Sequence, residues 1–132
     1  MRNALVAALL VLLPAPALAD PSVDGTVTQF VDGDTFWIGR TKIRLCGIDA
    51  PERGEPGHRE ATGYITQIVG RHEVHCVPIG SGTPCDGRSR KRSRGRLVMQ
   101  CFVEGKDIAG TMVDAGHARD WPDQPPRSGP IS

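Results

Sequence analysis

The chain has 132 residues, with 16 basic and 15 acidic side chains and a formal net charge of +1. A chain this close to neutral has no general attraction for polyanions, so binding to one must depend on a local cluster of charge. Its length supports one compact domain with a modest core and excludes two such domains.

The first 19 residues have the layout of a cleaved export signal. Arg2 precedes an apolar run over residues 4–13, and Ala17-Leu18-Ala19 forms a small-x-small cleavage site. A membrane anchor is the alternative, but spanning a bilayer takes about 20 apolar residues, and prolines interrupt this run early. We therefore expect cleavage after Ala19, no membrane attachment of the mature chain, and release into the periplasm or outside the cell.

The four cysteines predict two disulfides. An exported chain meets an oxidising compartment, where an even set of thiols pairs. Three pairings are possible; Cys76 with Cys101 is favoured because both lie in strand-like segments, and Cys46 with Cys85 then follows by elimination. A structural zinc site is the alternative, but the sequence contains no Cys-x-x-Cys spacing.

Local patterns predict three short strands followed by a helix. Segments rich in β-branched and aromatic residues, separated by Gly or Asp, predict strands over Thr26–Phe30, Thr35–Ile38 and Lys42–Cys46. The helix lies between Gly57 and Gly70, where apolar residues recur at helical spacing on one face, namely Ala61, Tyr64, Ile65, Ile68 and Val69.

The second half of the chain predicts two more strands and a second helix. Strands over His72–Val77 and Arg96–Val103 flank a loop rich in Gly, Ser, Pro and Arg, and a helix over Asp107–Ala115 ends at Gly116. This order suits a mixed α and β, mainly β domain, a five-stranded Greek-key barrel of the OB type with two helices. The domain would span residues 20–121, and the proline-rich residues 122–132 predict a disordered tail.

One stretch concentrates acidic residues around an arginine. If the second and third strands form a hairpin turning at Gly39 and Arg40, Thr35 lies opposite Arg44, and Asp34 lies on the same rim. Asp49 follows at the end of the third strand. Two carboxylates and a backbone carbonyl are hard oxygen ligands, which suit calcium or magnesium, and such an ion would bind phosphate.

These residue types fit phosphodiester hydrolysis, which needs an activated water and positive charge on the phosphoryl oxygens. Glu52 fits the base, and Arg44 fits a phosphate clamp because its planar fork offers paired donors and keeps its charge. The alternative is structural, since an Asp-Gly-Asp turn commonly stabilises its own backbone and an arginine between strands can pair with a neighbouring acid.

In order and spacing, these motifs resemble the thermonuclease family, whose prototype is staphylococcal nuclease. The shared motifs are the Asp-Gly-Asp-Thr turn at residues 32–35, the arginine on the third strand, and Asp-x-Pro-Glu at residues 49–52. The resemblance implies that Asp34, Asp49 and the Ala50 carbonyl bind Ca²⁺, that Glu52 activates water and that Arg44 holds the phosphate.

The resemblance also covers a second catalytic arginine. The family's Tyr-Gly-Arg motif opens the fifth strand, and Arg94-Gly95-Arg96 stands at that place without the tyrosine, which makes Arg96 the counterpart. The similarity continues to about Trp121, and the prototype's long C-terminal helix has no counterpart in the proline-rich tail.

A run of cations precedes this arginine, consisting of Arg88, Arg90, Lys91, Arg92 and Arg94. A flexible basic loop holds a polyanion by counterion release and so favours nucleic acid over a free nucleotide. The alternative is a solvated loop without a partner.

Taken together, the sequence predicts a monomeric, calcium-dependent endonuclease that hydrolyses DNA or RNA with little sequence preference. One alternative is an OB-fold module that binds nucleic acid without cutting it. The other is a disulfide-linked structural or inhibitory protein without a nucleic-acid partner.

Overall fold

A computed structural model of the chain describes residues 3–15 and 20–121. Residues 3–15 form no regular secondary structure, and their apolar side chains are exposed. The predicted cleavage site at residues 17–19 and the predicted tail at residues 122–132 lie outside the described residues. No helix within the two described segments is long and apolar enough to cross a membrane.

Ten strands and two helices follow one another in the described residues. In chain order they are β1 (Val23–Thr26), β2 (Gln29–Asp32), β3 (Thr35–Ile38), β4 (Thr41–Leu45), β5 (Ile48–Asp49), α1 (His58–Val69), β6 (Glu73–Pro78), β7 (Arg92–Ser93), β8 (Arg96–Val103), β9 (Lys106–Asp107), α2 (Ile108–Asp114) and β10 (Arg119–Asp120).

Eight of these strands form one curled sheet. The path runs β1-β6-β8-β4-β3-β2, and β7 and β9 also pair with β8. Strands β4 and β8 are parallel, while the other neighbours along the path are antiparallel. Because β1 and β2 are consecutive in the chain yet lie at opposite ends of the path, the sheet must curl to bring its edges together. This arrangement, with two helices, confirms the predicted mainly β, OB-type fold.

The predicted single strand over Thr26–Phe30 is wrong in extent. The chain there divides into β1, which pairs with β6, and β2, which pairs with β3. The curl of the sheet is the physical reason, since one straight strand cannot pair with both edges. Close packing accompanies the crossing, because a Cβ atom on Gly25 would lie 2.9 Å from a side-chain carbon of Ile38.

Helix α1 covers the core with the face that helical periodicity predicts, and α2 buries Ile108, Ala109 and Met112. In α1 the side chains of Ala61, Ile65 and Val69 are fully buried, and Gly70 ends the helix with φ 52° and an N–H bond to the Thr66 carbonyl. Helix α1 contacts β2 and α2, and α2 contacts β8. Each fully buried aliphatic side chain stabilises the fold by about 1.5–3 kcal/mol. The two helices therefore hold the ends of β2 and β8 in place.

Both predicted disulfides are formed. Cys76 and Cys101 are direct partners in the β6–β8 register, so their bond links two neighbouring strands of the sheet. Cys46 follows β4 and is bonded to Cys85 in the loop between β6 and β7. All four residues are buried. The second disulfide thus ties the loop that carries the basic residues to the end of β4.

Candidate active site

Asp34 lies in the tight turn between β2 and β3, and only 5% of its surface is exposed. Its Oδ1 accepts a hydrogen bond from the Thr35 hydroxyl at 2.8 Å, and its Oδ2 accepts one from the Ala50 N–H at 2.8 Å. The second bond joins the turn to the segment that follows β5. Since a buried carboxylate without partners is costly, these bonds both pay for its burial and fix its orientation.

Arg44, on β4, lies directly opposite Thr35, which confirms the predicted hairpin pairing. Its Nη1 lies 3.5 Å from Asp34 Oδ2, and its Nη2 lies 3.8 Å from Asp49 Oδ1. Nη1 also donates to the Leu45 carbonyl at 2.7 Å. With only 12% of its side chain exposed, Arg44 interacts through less water than a surface ion pair does. One guanidinium therefore lies between the two carboxylates that the sequence predicts as metal ligands.

Asp49 ends β5, and its side chain is 47% exposed. Strand β10 pairs with β5 so that Arg119 lies opposite Asp49, and Arg119 Nη2 lies 3.5 Å from Asp49 Oδ2. Its two neighbours in the chain, Ile48 and Ala50, are buried and hold the backbone at this point. Asp49 is thus half open to solvent while its main chain is fixed.

Arg96, the first residue of β8, reaches the same place from another strand. Its Nε donates to the Ser93 carbonyl at 3.0 Å, its Nη2 to the Ser93 hydroxyl at 3.3 Å, and its Nη1 to the Thr35 hydroxyl at 3.5 Å. Burial lowers the pKa of Arg96 from its usual range, and the positive charge of Arg44 lowers it further. Ser93 therefore holds this guanidinium although the tyrosine of the Tyr-Gly-Arg motif is absent.

Glu52 is exposed, and its hydrogen bonds within the described residues involve only its main chain. Its N–H donates to Glu55 Oε1 at 3.0 Å, and its carbonyl accepts from the Glu55 N–H at 2.9 Å. Within residues 3–15 and 20–121, no hydrogen bond or ion pair joins its carboxylate to the other predicted site residues. The structure thus brings together Asp34, Arg44, Asp49, Ala50 and Arg96, and leaves the Glu52 carboxylate facing solvent.

The donor atoms in this cluster fit a hard cation. Carboxylate and carbonyl oxygens are the ligands that calcium takes in proteins, and water completes its coordination. Among the described residues, no group of three or more His, Cys, Asp or Glu side chains has the arrangement of a metal site. The oxygen donors that would hold such a cation are those of Asp34, Asp49 and the Ala50 carbonyl, as the sequence predicts.

The basic run lies beside this cluster on an ordered loop. All five of its predicted nucleic-acid-binding residues, Arg88, Arg90, Lys91, Arg92 and Arg94, are exposed. A two-residue turn at Arg94 and Gly95, both with positive φ, connects β7 to β8, as hairpins of this length require. A cleft of about 240 Å³ separates the loop from Arg44 and is lined by Arg88, Arg90 and Trp121.

Sequence reasoning missed several residues that support the cluster. Most of their contacts join segments far apart in the chain, so no local pattern identifies them. Ser93 lies only three residues before Arg96, but no motif marks it. The motif at residues 32–35 includes two of them. They are Asp32, Thr35, His58, Ser93 and Arg119.

Known proteins with similar sequences identify the family of the chain. Residues 42–128, more than half of the chain, match the family described as staphylococcal nuclease homologue, and the match runs past Trp121, where the resemblance was expected to end. Endonuclease YhcR of Bacillus subtilis (strain 168) is 30% identical over 129 residues, covering 83% of this chain and 10% of that protein. Succinoglycan biosynthesis protein ExoI of Rhizobium meliloti (strain 1021) is 30% identical over 121 residues, covering 89% of this chain and 61% of that protein.

The chain thus spans a small part of the first relative and about three fifths of the second. The family match begins within β4, so it includes Arg44, Asp49 and Arg96, while the turn that carries Asp34 precedes it. The family match and the mainly β, OB-type fold lead to the same family assignment. The chain belongs to the family of staphylococcal nuclease homologues.

Proposed function

We propose that this chain is a calcium-dependent endonuclease that hydrolyses phosphodiester bonds of DNA or RNA with little sequence preference. The observation that carries the proposal is the position of Arg44, whose guanidinium contacts both Asp34 and Asp49. The Thr35 hydroxyl links the same Asp34 to Arg96. Membership of a nuclease family supports this chemistry, and one relative is named an endonuclease.

The acidic residues and the arginines have different roles in the reaction at the phosphate. Asp34, Asp49 and the Ala50 carbonyl would hold the calcium ion, which when bound supplies positive charge to a phosphoryl oxygen and polarises water. Arg44 and Arg96 present two guanidinium groups to the same region and stabilise the negative charge that builds up on the phosphoryl oxygens. An incoming phosphate anion also offsets the burial and the mutual repulsion that lower the pKa of Arg96.

We assign the proton acceptor to Glu52. It follows Asp49 by three residues, and its carboxylate faces solvent. In this role it takes a proton from the water that attacks phosphorus, while the bond from phosphorus to the leaving oxygen breaks. The exposed position gives the side chain room to turn toward a bound phosphate.

The basic loop extends the site along a polynucleotide. Its five exposed cations adjoin Arg96, so they attract the phosphates that flank the scissile one, and this attraction weakens as salt rises. Trp121, 48% exposed, is the one aromatic side chain among the residues that line the adjoining cleft. A single stacking surface with no base-reading hydrogen bonds favours low sequence preference. Two disulfides and the predicted export signal support action in the periplasm or outside the cell.

Cleavage with and without calcium tests the proposal. The purified protein, with both disulfides formed, is incubated with plasmid DNA and with RNA in the presence of calcium, magnesium or a chelator. We expect internal cleavage with calcium and its loss on chelation. Salt-dependent binding without cleavage under every metal would instead favour the module that binds nucleic acid, and failure to bind polyanions at low salt would favour the structural protein.

Single substitutions test the assigned roles. We expect Arg44→Ala and Glu52→Gln each to lower kcat by 10² or more, as typical for loss of one electrostatic group at a transition state. Arg40→Ala, at the far turn of the same hairpin, and Glu73→Gln, on β6, are exposed controls that should cleave at the wild-type rate. A folded variant with an unchanged rate removes its residue from the mechanism.

A further inference from the structure

His58, the first residue of α1, contacts the turn that carries Asp34. Its Nε2 lies 2.8 Å from Asp32 Oδ1 and 3.3 Å from the Val31 carbonyl. The Thr62 hydroxyl, one helical turn further along α1, lies 3.3 Å from the same nitrogen. The side chains of His58 and Asp32 are 15% and 18% exposed, so the contact is largely shielded from water.

The partners of His58 determine which way the bond runs. Carboxylate and carbonyl oxygens only accept hydrogen bonds, so Nε2 must carry a hydrogen and donate it to Asp32 and Val31. One donor at the start of α1 therefore holds both the side chain of Asp32 and the main chain just before it. Helix α1 therefore holds the turn through the hydrogen that His58 donates.

Gly33, in the same turn, has no free space for a side chain. A Cβ atom on Gly33 would lie 2.9 Å from Ala61 Cβ, 3.0 Å from Ala50 Cβ and 3.2 Å from Met112 Cε. The turn thus packs against α1, against α2 and against the segment after β5 that supplies the proposed carbonyl ligand. Because Gly33 stands between Asp32 and Asp34, a shift of Asp32 is transmitted directly to the Asp34 carboxylate.

From this arrangement we propose that His58 is a positioning residue, which fixes Asp32 and thereby holds Asp34 where it binds the cation. The inference rests on the proposed function, since it takes Asp34 as a calcium ligand. Within the described residues, the polar contacts of His58 are with Val31, Asp32 and Thr62 and not with the proposed cation ligands. Its effect is therefore on the affinity for the cation, through the geometry of the turn.

Two substitutions of similar polarity separate positioning from folding. In His58→Gln the side-chain amide can still reach and donate to Asp32, whereas in His58→Asn the amide is too short to do so. His75→Asn is the control, because His75 forms a half-exposed His–Asp pair with Asp24 between β6 and β1. All three variants keep an amide in place of the imidazole.

The measurements are the dissociation constant for calcium by titration calorimetry and the rise in Tm on adding calcium, both without substrate. We expect His58→Asn to weaken calcium binding by about 10-fold, the lower end of the losses seen when groups behind metal ligands are removed. His58→Gln should regain most of that affinity, and His75→Asn should bind as the wild type does. Each variant's Tm in chelator records its folding separately.

The outcomes distinguish the two proposals. Equal calcium affinity in the wild type, His58→Gln and His58→Asn would overturn the role of His58 while leaving the calcium site intact. A lower Tm in chelator with unchanged affinity would show that His58 only stabilises the fold, and would overturn it as well. A wild-type protein that binds no calcium would overturn the proposed function together with this inference.

Discussion

The Thr35 hydroxyl links the Asp34 carboxylate to the Arg96 guanidinium. The hydroxyl donates its hydrogen to Asp34 Oδ1 and accepts one from Arg96 Nη1, and the residue is only 1% exposed. A hydroxyl has one hydrogen and two acceptor lone pairs, so both bonds form at once. The carboxylate and the guanidinium therefore keep their separation without direct contact, which leaves both able to face a ligand.

Replacing this hydroxyl tests that link. In Thr35→Val the shape is kept, but one oxygen of the buried Asp34 loses its partner. We expect the free energy of unfolding to fall by about 1–3 kcal/mol, the cost of a buried polar group left unsatisfied. Because Arg96 also loses a contact, nuclease activity should fall further than stability explains.

Urea denaturation measures the free energy of unfolding of Thr35→Val, and single-turnover cleavage measures its nuclease activity. The control is Thr41→Val, at the start of β4, whose hydroxyl has no hydrogen-bond partner among the described residues. Activity that stays at the wild-type level in a folded Thr35→Val protein would mean that the hydroxyl serves folding alone.

At the scale of elements, local patterns identify those parts whose partners are close in sequence. The hairpin of β3 and β4 brings Thr35 opposite Arg44, as its turn at residues 39–40 predicts, and helical spacing identifies the buried face of α1. The short pairing of β5 with β10 is different, because two-residue strands leave no periodic signal. The same applies to His58 and Asp32, which meet only because α1 packs on the turn.

The basic loop is ordered by an acidic residue that sequence patterns do not reveal. Asp86 accepts hydrogen bonds from the Thr83 hydroxyl at 2.6 Å, from the Gly80 N–H at 2.6 Å and from the Gly82 N–H at 2.8 Å. The Thr83 hydroxyl, followed by the Gly80 N–H, lowers the pKa of Asp86 below its usual value of 3.8. The carboxylate therefore holds residues 80–83 in place, in the part of the loop that precedes the arginines.

Because the pKa of Asp86 is lowered, the order that this carboxylate gives to residues 80–83 should depend on pH. A carboxyl whose pKa falls on folding stabilises the folded form above its ordinary pKa, and this contribution is lost as pH falls through the lowered value. We expect the Gly80 and Gly82 amides to be protected at pH 5 and above, and to lose protection well below pH 3.8. Hydrogen exchange, corrected for intrinsic rates, measures this directly.

The variant Asp86→Asn should show the same loss of protection at neutral pH, because an amide offers one acceptor oxygen in place of two. Asp114→Asn, on the exposed end of α2, is the control. Protection at Gly80 and Gly82 that survives both acid and the Asp86→Asn substitution would show that the disulfide alone orders the loop.

At the scale of the molecule, charge and covalent links are unevenly distributed. A chain of net charge +1 places five exposed cations within residues 88–94, beside Arg44 and Arg96. One disulfide joins β6 to β8, and the other joins the end of β4 to the basic loop. Composition alone shows the neutrality and the even number of cysteines, whereas the placement of the loop depends on the folded sheet.

The two disulfides should stabilise the folded protein by similar amounts, but they should differ in their effect on binding to a polynucleotide. They close segments of 25 and 39 residues, for which chain entropy predicts about 3–4 kcal/mol each. A domain of this size is stable by only about 5–15 kcal/mol, so removing both should unfold it or nearly so. Cys76→Ala with Cys101→Ala, and Cys46→Ala with Cys85→Ala, should each lower the urea midpoint by similar amounts.

Binding to a polynucleotide should distinguish the effects of the two disulfides. Cys46 and Cys85 hold the basic loop against the end of β4, so their removal should weaken binding to single-stranded DNA and flatten its dependence on salt, since fewer cations contact phosphates together. Removal of Cys76 and Cys101, which are strand partners, should leave the affinity of the folded fraction and its salt slope unchanged. An equal loss of affinity in both pairs would mean that the loop keeps its position without its own disulfide, and that the sheet as a whole sets the binding surface.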